Sequence, residues 1–322
     1  MMNNNTTNRK VVIIGAGHVG SHAGYALVSQ NLVEEIVYID VDEKKALAQA
    51  LDLYDSTLYL HKGARVKAGD YSDLEDASLV IISAGPLPDL TTGETRMDTL
   101  SKTVAIIKDI VKNIKTTSYD GLILNISNPA DVVTHYLQHE LGWDEKKIFS
   151  TSTTLDSARL KRAIAEEIGI NQKSIIAYAL GEHGESQMVP WSTVSIAGKP
   201  LFKLMEERPD TYGKLDLQKL ADLGRGGGWT ILHGKGYTEF GIGASIAEVV
   251  RAVFGDENKI LPVSVKLNGE YGQTGVYASV PAVINRNGIA DIIPLDLNEE
   301  EQKQFDASCK TMRENFELAL TL

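Results

Sequence analysis

The feature that most constrains this chain is a glycine pattern directly behind an apolar strand near the N-terminus. Residues 10–20 read KVVIIGAGHVG, so a G-x-G-x-x-G fingerprint falls on Gly15, Gly17 and Gly20. The first glycine permits a tight turn, the second lets backbone N–H groups approach a pyrophosphate, and the third lets a helix pack on the strand. The positive end of that helix then faces the phosphates. The pattern predicts a strand, turn and helix that bind a dinucleotide.

An acidic residue at a suitable distance supports this interpretation. The next strand, residues 34–40 with the sequence EEIVYID, ends in Asp40, twenty residues past Gly20. A carboxylate there accepts hydrogen bonds from ribose hydroxyls and repels a 2′-phosphate, so the sequence favours NAD over NADP. The alternative is a glycine-rich turn that binds no ligand, and the spaced acid argues against it.

The order of the predicted elements indicates the fold class. Strands and helices alternate through the first 150 residues, which predicts an α/β fold with a Rossmann-type doubly wound parallel sheet. From about residue 174 the pattern changes to short strands, a long helix interrupted or loosened by glycines, and a strand meander. We therefore expect an NAD-binding domain over 9–150, a mixed α+β substrate domain over 151–322, and a disordered tail over 1–8. The clearest helices are predicted over residues 18–30, 44–55, 97–115 and 298–320.

Composition argues against several classes of partner. The 322-residue chain has a formal net charge of −11, which disfavours nucleic acid and anionic membrane surfaces as partners. No apolar run reaches about 18 residues, and the N-terminus lacks an apolar signal region, so we expect a cytoplasmic protein. The single cysteine, Cys309, lies on an apolar stripe at helical spacing, which predicts a buried and inert thiol. We expect no metal site.

Two polar residues lie where parallel strands give way to helices. Arg96 closes a proline- and threonine-rich loop, residues 86–96, which at the carboxyl end of a strand is a natural lid. A solvated arginine at a helix start is the alternative for this residue. Asn128 precedes Pro129 at another predicted helix start, where it could equally serve as a helix cap.

A second group of polar residues lies in the following segments. Asp156 and Arg159 are three residues apart on a predicted amphipathic helix, so they share one face, where an ordinary surface ion pair is the alternative. His183 lies between glycines in the segment GEHGESQ, after a predicted strand. A histidine considered alone is more often a residue without a catalytic role, and only its combination with the other motifs predicts a hydride-transfer site.

Several independent motifs occur in the order found in the L-lactate/malate dehydrogenase superfamily, which the chain resembles over nearly its full length. The matching segments are GAGHVG, SAG followed by a loop ending in GETR, SNPADV, TTLDSAR, GEHG and KGYT. Three further segments resemble most closely the L-2-hydroxyisocaproate dehydrogenases of lactic acid bacteria: GEHGESQMVPWSTV, GGGWTILHGKGYT and GVYASVPAVINRNGI. The resemblance implies an NAD-dependent L-2-hydroxyacid dehydrogenase.

The resemblance also implies a role for each polar residue. His183 exchanges a proton with the substrate oxygen, and Asp156 orients the imidazole and stabilises its charged form. Arg159 clamps the substrate carboxylate, so Asp156 and Arg159 would serve different partners. Arg96 polarises the carbonyl when the loop closes, and Asn128 contacts the same oxygen. The cofactor-binding positions implied are Gly15, Gly17, Gly20, Asp40, Ala84, Gly85 and Asn128.

The substrate prediction depends on the loop and on the opposite wall of the pocket. The loop has no Lys or Arg before Arg96 but does contain Asp89, so a second substrate carboxylate would lack a partner and oxaloacetate is disfavoured. The resemblance implies that this loop, which Leu90 makes apolar, selects the substrate, that Gly228 widens the opposite wall, and that Thr238 is a further pocket residue. We expect a branched or medium-chain 2-oxo acid such as 2-oxoisocaproate, with L-lactate dehydrogenase as the close alternative.

The resemblance implies a homo-oligomer, usually a tetramer or dimer. Lys161 keeps one basic position of the sugar-bisphosphate site of bacterial lactate enzymes, but Ile176 replaces the expected histidine, which argues against such activation. Two other classes of NAD-binding protein are alternatives. NAD-dependent glycoside hydrolases need metal-binding Cys and His residues in the second half, and a non-enzymatic NAD-binding regulator would not need His183, Asp156 and Arg159 together.

Overall fold

Six parallel strands form the first part of one mixed sheet in the computed structural model, which describes residues 9–88, 91–93 and 98–322. These strands are β1 (Lys10–Ile14), β2 (Glu35–Ile39), β3 (Arg65–Ala68), β4 (Leu79–Ile82), β5 (Leu122–Asn125) and β6 (Ile148–Ser150). Their spatial order is β3-β2-β1-β4-β5-β6. The order reverses between β1 and β4, as in a doubly wound sheet, so the predicted Rossmann-type fold is confirmed.

The central strands are buried on both faces. The segments KVVII of β1 and LVII of β4 are buried at every position. Strands covered on both sides read as continuous apolar runs, whereas a half-exposed strand alternates. In β1, Val11 and Ile13 belong to one core and Val12 and Ile14 to the other. The first core is covered by α1 (His18–Ser29) and α2 (Glu43–Ser56), and the second by α3 (Leu100–Ile114) and α4 (Ala130–Leu141).

The second half of the chain extends the same sheet. After β6 the elements are α5 (Thr154–Ile168), β7 (Ile175–Ile176), β8 (Ser195–Ile196), β9 (Lys199–Pro200), α6 (Leu201–Glu207), α7 (Leu217–Lys235), α8 (Phe240–Phe254), β10 (Lys259–Asn268), β11 (Thr274–Asn285), β12 (Gly288–Ile292) and α9 (Glu299–Thr321). The antiparallel strands β10, β11 and β12 join β6 through the pairing of Ser264 with Ser150. The sheet therefore runs unbroken across residue 150, where the sequence predicts a domain boundary.

Two predicted elements before α7 are wrong in detail. The strand expected from residue 174 to the His183 loop is limited to Ile175–Ile176, followed by isolated bridges from Leu180 to Met188 and from Gly181 to Ser279. The segment leaves the small sheet because it crosses to β11, where Gly181 finds its backbone partner. The strand-like stretch after Met188 contains a 3₁₀ turn at Trp191–Thr193 and only a two-residue strand.

The long helix that the sequence predicts to be interrupted by glycines is interrupted, but not at 226–228, because α7 runs through all three of these glycines. Close packing of α7 on α5 involves Gly224 and Gly227, whereas a Cβ at Gly226 would meet nothing within 4 Å. A Cβ at Gly224 would lie 3.4 Å from the Cβ of Leu160, which is the limit of ordinary contact. The break falls instead at Gly236, whose φ of +87° ends α7 in the left-handed conformation.

The C-terminal helix and the single cysteine agree with the sequence analysis. Asn298 caps α9 by accepting hydrogen bonds from the backbone N–H groups of Glu300 and Glu301, both at 3.0 Å. Cys309 on this helix is fully buried, and burial raises the pKa of its thiol to about 12, so it is inert as predicted. Within the described ranges, no helix combines the length and apolar character needed to cross a membrane.

Candidate active site

A groove of about 870 Å³ lies where the carboxyl ends of β1, β2 and β4 meet. The fingerprint glycines shape its floor. Gly15 has a φ of +102°, and a Cβ there would lie 2.4 Å from the carbonyl oxygen of Ser83. A Cβ at Gly20 would lie 1.9 Å from the carbonyl oxygen of Gly15, whereas one at Gly17 would meet nothing closer than 3.9 Å. The turn and the helix contact thus require glycine, and the backbone at Gly17 stays open to a ligand.

Asp40 lines this groove and braces the glycine turn. Its Oδ2 accepts a hydrogen bond of 2.8 Å from the backbone N–H of Ala16, and Lys45 Nζ lies 4.0 Å from the same oxygen. The predicted residues Ala84 and Gly85 line the opposite side. An open backbone at a helix N-terminus, an acid at the end of the second strand and this volume together fit a dinucleotide.

Three of the predicted site residues, His183, Asp156 and Arg159, meet at the first turns of α5. His183 Nδ1 is hydrogen-bonded to Asp156 Oδ2, and Arg159 Nη1 donates to Asp156 Oδ1 at 2.8 Å. Asp156 is 2% exposed and Arg159 is 7% exposed, while the His183 side chain is 12% exposed, so the three groups form a largely buried cluster rather than a surface ion pair. Asp156 and Arg159 also pair with each other, in addition to the separate partners that the resemblance implies for them. Their spacing of three places both on one face, and a buried guanidinium needs an anionic partner.

Hydrogen bonds with β11, α9 and α4 hold the backbone of the His183 loop in place. Gly181 pairs with Ser279 of β11 through two backbone hydrogen bonds of 2.9 and 3.0 Å. Its φ is +85°, and a Cβ there would lie 2.4 Å from Ser308 Oγ of α9. The next residue, Glu182, donates its backbone N–H to the same Ser308 oxygen at 2.9 Å. The C-terminal helix therefore helps to place the histidine.

Asp131 on α4 is a functional residue that the sequence analysis missed. Its Oδ2 accepts a hydrogen bond of 2.7 Å from the backbone N–H of His183, and its Oδ1 accepts one of 2.8 Å from Ser152 Oγ. Asp131 is 2% exposed, and burial raises the pKa of its carboxyl group. The only local signal was an acid in the first turn of a helix inside the SNPADV motif, and such an acid commonly serves the helix itself.

A small cavity of about 60 Å³, here called the catalytic cavity, opens onto these groups. His183, Arg159, Asn128 and Thr238 line it together with apolar residues, which are Val19, Ile126, Leu155 and Ile242. Asn128 does not cap α4, because the cap position is Pro129. Its Oδ1 is buried and has no protein hydrogen-bond partner in the described part of the chain. A buried amide of this kind suits a contact with substrate or cofactor.

The remaining predicted pocket residues differ in what the structure says of them. Arg96 and Leu90 lie outside the described residues. Gly228 is buried in α7, and its neighbour Gly227 packs against Arg159, where an added Cβ would lie 3.1 Å from Cδ of that residue. The predicted effect of Gly228 on pocket width stays a prediction.

A second cavity of about 530 Å³, here called the side cavity, adjoins the catalytic cavity. Leu155, Arg159 and Thr238 line both. The side cavity lies against α7, and the apolar residues Leu223, Ile231 and Phe240 are also part of its lining.

A dinucleotide groove beside a partly buried histidine and a buried aspartate and arginine defines an NAD-dependent dehydrogenase that acts on 2-hydroxy acids. Comparison with known proteins gives the family. Residues 9–150 match the lactate/malate dehydrogenase NAD binding domain, and residues 153–322 match the lactate/malate dehydrogenase alpha/beta C-terminal domain. The chain therefore belongs to the lactate/malate dehydrogenase family. The prediction of an NAD-dependent enzyme is confirmed, against both the regulator and the glycoside hydrolase alternatives.

Individual relatives are similar over almost the whole chain. "L-lactate dehydrogenase 3" of Bacillus thuringiensis subsp. konkukian is 38% identical over 306 residues, covering 95% of this chain and 96% of that protein. The "L-lactate dehydrogenase" of Lactococcus lactis subsp. cremoris is 38% identical over 311 residues, covering 97% and 98%. The crystal structure of minor L-lactate dehydrogenase from Enterococcus mundtii in its ligands-bound form superposes with a TM-score of 0.92 at 35% identity, covering 97% and 99%.

Proposed function

We propose that this chain is an L-lactate dehydrogenase, which interconverts pyruvate and L-lactate with NADH and NAD. The observation that carries the proposal is the His183–Asp156–Arg159 cluster, in which Asp156 and Arg159 are buried, at a cavity of only about 60 Å³. The names of the relatives above favour lactate over the hydroxyisocaproate-type substrate that the sequence first suggested. Arg159 is the only permanently charged cation among the described residues that line the catalytic cavity. This supports a substrate with one carboxylate.

The histidine supplies the proton. Because Nδ1 of His183 pairs with Asp156, proton exchange with the substrate oxygen falls to Nε2. Asp156 fixes the ring orientation and stabilises the imidazolium form. When bound, NADH supplies the hydride that adds to the carbonyl carbon. In this scheme Asn128 donates a hydrogen bond to the carbonyl oxygen, and Arg96 adds positive charge beside it.

Arg159 binds the substrate carboxylate while it keeps its bond to Asp156. A guanidinium group carries five N–H donors, and the bond to Asp156 uses Nη1. The other donors allow a second carboxylate to bind in the planar, two-bond geometry that arginine favours. The negative charge of Asp156 weakens this attraction. It also holds the guanidinium plane in place, so less side-chain freedom is lost when substrate binds.

A 2-oxo acid with a longer apolar side chain, such as 2-oxoisocaproate, is the second candidate substrate. The side cavity favours it, because it shares Arg159 and Thr238 with the catalytic cavity and offers apolar surface beyond them. Three added carbons at about 0.8 kcal/mol each would contribute roughly 2.4 kcal/mol if fully buried, or about sixty-fold in affinity. The loop containing Leu90 bears on the same choice by resemblance.

The deciding experiment is NADH oxidation at saturating cofactor with pyruvate, 2-oxobutyrate, 2-oxoisocaproate, phenylpyruvate and oxaloacetate. The highest kcat/KM with pyruvate would support the lactate proposal. A preference for 2-oxoisocaproate would replace it with the second candidate and leave the catalytic roles intact. Equal or better turnover of oxaloacetate would contradict the single-carboxylate argument.

A homo-oligomer is proposed on the resemblance and on one surface feature. The outer side of α2 exposes an apolar stripe, with Leu47 51% exposed, Leu51 55% and Tyr54 51%, and Leu58 just beyond the helix is 79% exposed. Stripes of this kind often mark protein contacts. Light scattering coupled to gel filtration would test the proposal, and a monomer at micromolar concentration would contradict it. Location in the cytoplasm stays a prediction from the sequence.

A further inference from the structure

Thr238 lies in a short connection between two helices. The helix α7 ends at Lys235, Gly236 adopts a left-handed conformation, and α8 begins only at Phe240. Thr238 nevertheless lines both the catalytic cavity and the side cavity. The position of Thr238 therefore depends on the contacts that its sequence neighbours make.

The residue before Thr238 stacks on the first residue of the cofactor-binding helix. The rings of Tyr237 and His18 lie 3.6 Å apart, centroid to centroid, with their planes only 7° from parallel. His18 directly follows Gly17, the glycine whose backbone faces the cofactor groove. The stack thus joins the substrate cavity to the turn that binds the pyrophosphate.

The residues after Thr238 are held by the same helix. Glu239 is 7% exposed, its Oε2 lies 3.3 Å from His22 Nδ1, and its Oε1 accepts a hydrogen bond of 2.6 Å from Lys235. Phe240 contacts the His22 ring edge to face, with centroids 5.2 Å apart. Both sides of Thr238 are therefore attached to α1.

We propose that the His18–Tyr237 stack is a positioning contact for the 2-hydroxyacid dehydrogenase reaction, holding Thr238 at the substrate and coupling its position to the cofactor turn. The proposal rests on the dehydrogenase function given above and is independent of which 2-oxo acid is preferred. Neither ring touches the reacting atoms, because Thr238 is the residue that reaches the cavity. Loss of the stack should therefore weaken substrate binding more than it slows the chemical step.

The test compares Tyr237→Leu, His18→Ala and the double variant with the wild type. Substrate binding is read as KM for the best 2-oxo acid, and as the Kd of oxamate, an isostere of pyruvate, in the NADH complex. Aromatic ring contacts in proteins generally correspond to about a three- to tenfold effect. We expect each single variant to raise both constants by about that factor, with kcat and the Kd of NADH alone changed less than twofold.

The double variant and two controls separate a positioning contact from general damage. If the rings act as one unit, the double variant is no worse than either single variant, since the contact is already lost. Tyr237→Phe keeps the ring and should behave like the wild type. Tyr25→Leu on the exposed side of α1 and His61→Ala in an exposed turn make the same chemical changes elsewhere and should have no effect.

Three results would overturn the proposal: unchanged KM and oxamate Kd in the single variants, effects that multiply in the double variant, or a Phe variant as impaired as the Leu variant. If Tyr237→Leu does not fold, His18→Ala carries the test. The oxamate measurement needs no turnover. A wild-type protein that binds oxamate in the NADH complex yet reduces none of the 2-oxo acids would refute the proposed function and leave the stack open to the same binding comparison.

Discussion

Replacing Asp131 by alanine tests whether a carboxylate behind the active site holds the catalytic histidine. The side chain accepts hydrogen bonds from the backbone N–H of His183 at 2.7 Å and from Ser152 Oγ at 2.8 Å. Alanine would leave both donors buried without this partner, at about 1–3 kcal/mol each. The burial of the carboxylate is itself unfavourable, because burial raises its pKa, and its removal offsets part of that loss. We expect a net decrease of about 2–4 kcal/mol in the free energy of unfolding.

The same variant should also impair catalysis, because the His183 backbone would lose one of its three supports. A shift of about 1 Å in a catalytic group can lower the rate by about 100-fold. Asp131→Asn is the matched control. Its amide oxygen can accept from His183 while its amide nitrogen donates to the Ser152 hydroxyl, which can also accept. We expect the Asn variant to lie within about 1 kcal/mol of the wild type.

Urea unfolding followed by circular dichroism gives the stabilities, and steady-state NADH oxidation gives kcat and KM. We expect Asp131→Ala to lower both the free energy of unfolding and kcat, and Asp131→Asn largely to preserve both. An Ala variant within about 0.5 kcal/mol of the wild type with unchanged kcat would refute it. So would an Asn variant as unstable as the Ala variant, because then the charge rather than the pair of hydrogen bonds would matter.

Four further predictions follow from the site. Asp156→Asn should lower kcat by at least about 100-fold, because the ring loses its ionised partner, and an unchanged kcat in steady-state assays would exclude that role. Arg159→Lys should raise KM far more than it lowers kcat, since lysine cannot make the planar two-bond contact; equal changes would argue for a different role. Gly181→Ala should impair folding, because its φ is +85° and its Cβ would lie 2.4 Å from Ser308 Oγ, and thermal unfolding should show partial recovery when Ser308→Gly is added. Burial raises the pKa of Asp131, so the stability from this group is complete below its unfolded pKa of about 3.9 and is lost as pH rises through the higher folded value. Relative to Asp131→Asn, the wild type should therefore lose unfolding free energy from about pH 4 upward, and parallel pH curves would contradict this.

The N-terminal half was predictable because its signals are local. Gly15, Gly20 and Asp40 act within one strand–turn–helix–strand unit, so their spacing along the chain determines their spacing in the fold. The helix carrying Asp156 and Arg159 was predictable for the same reason, since residues three apart share a face. The spacing allowed only a surface ion pair between these two residues to be considered, because the burial of the pair does not follow from spacing alone.

The supports of the His183 loop could not be predicted from the sequence. Asp131, Ser279 and Ser308 are distant from it in the chain and reach it only through the packing of α4, β11 and α9. A serine in a strand or helix carries no signal of such a role. The sequence also could not show which glycine interrupts the long helix, because a glycine that breaks an isolated helix can instead permit close helix packing, and only the packing partner decides.

The continuous sheet also limits how this enzyme can move. The strands that shape the cofactor groove and the strand that anchors Gly181 belong to one hydrogen-bonded array, joined where Ser264 meets Ser150. A hinge between two halves would have to tear that array, so the separation between the cofactor turn and the catalytic histidine is built in during folding. Access for substrate must then come from elements outside the sheet. Cofactor and substrate therefore bind between two groups whose separation is set by the sheet. The distance over which the hydride is transferred does not depend on one half of the chain closing on the other.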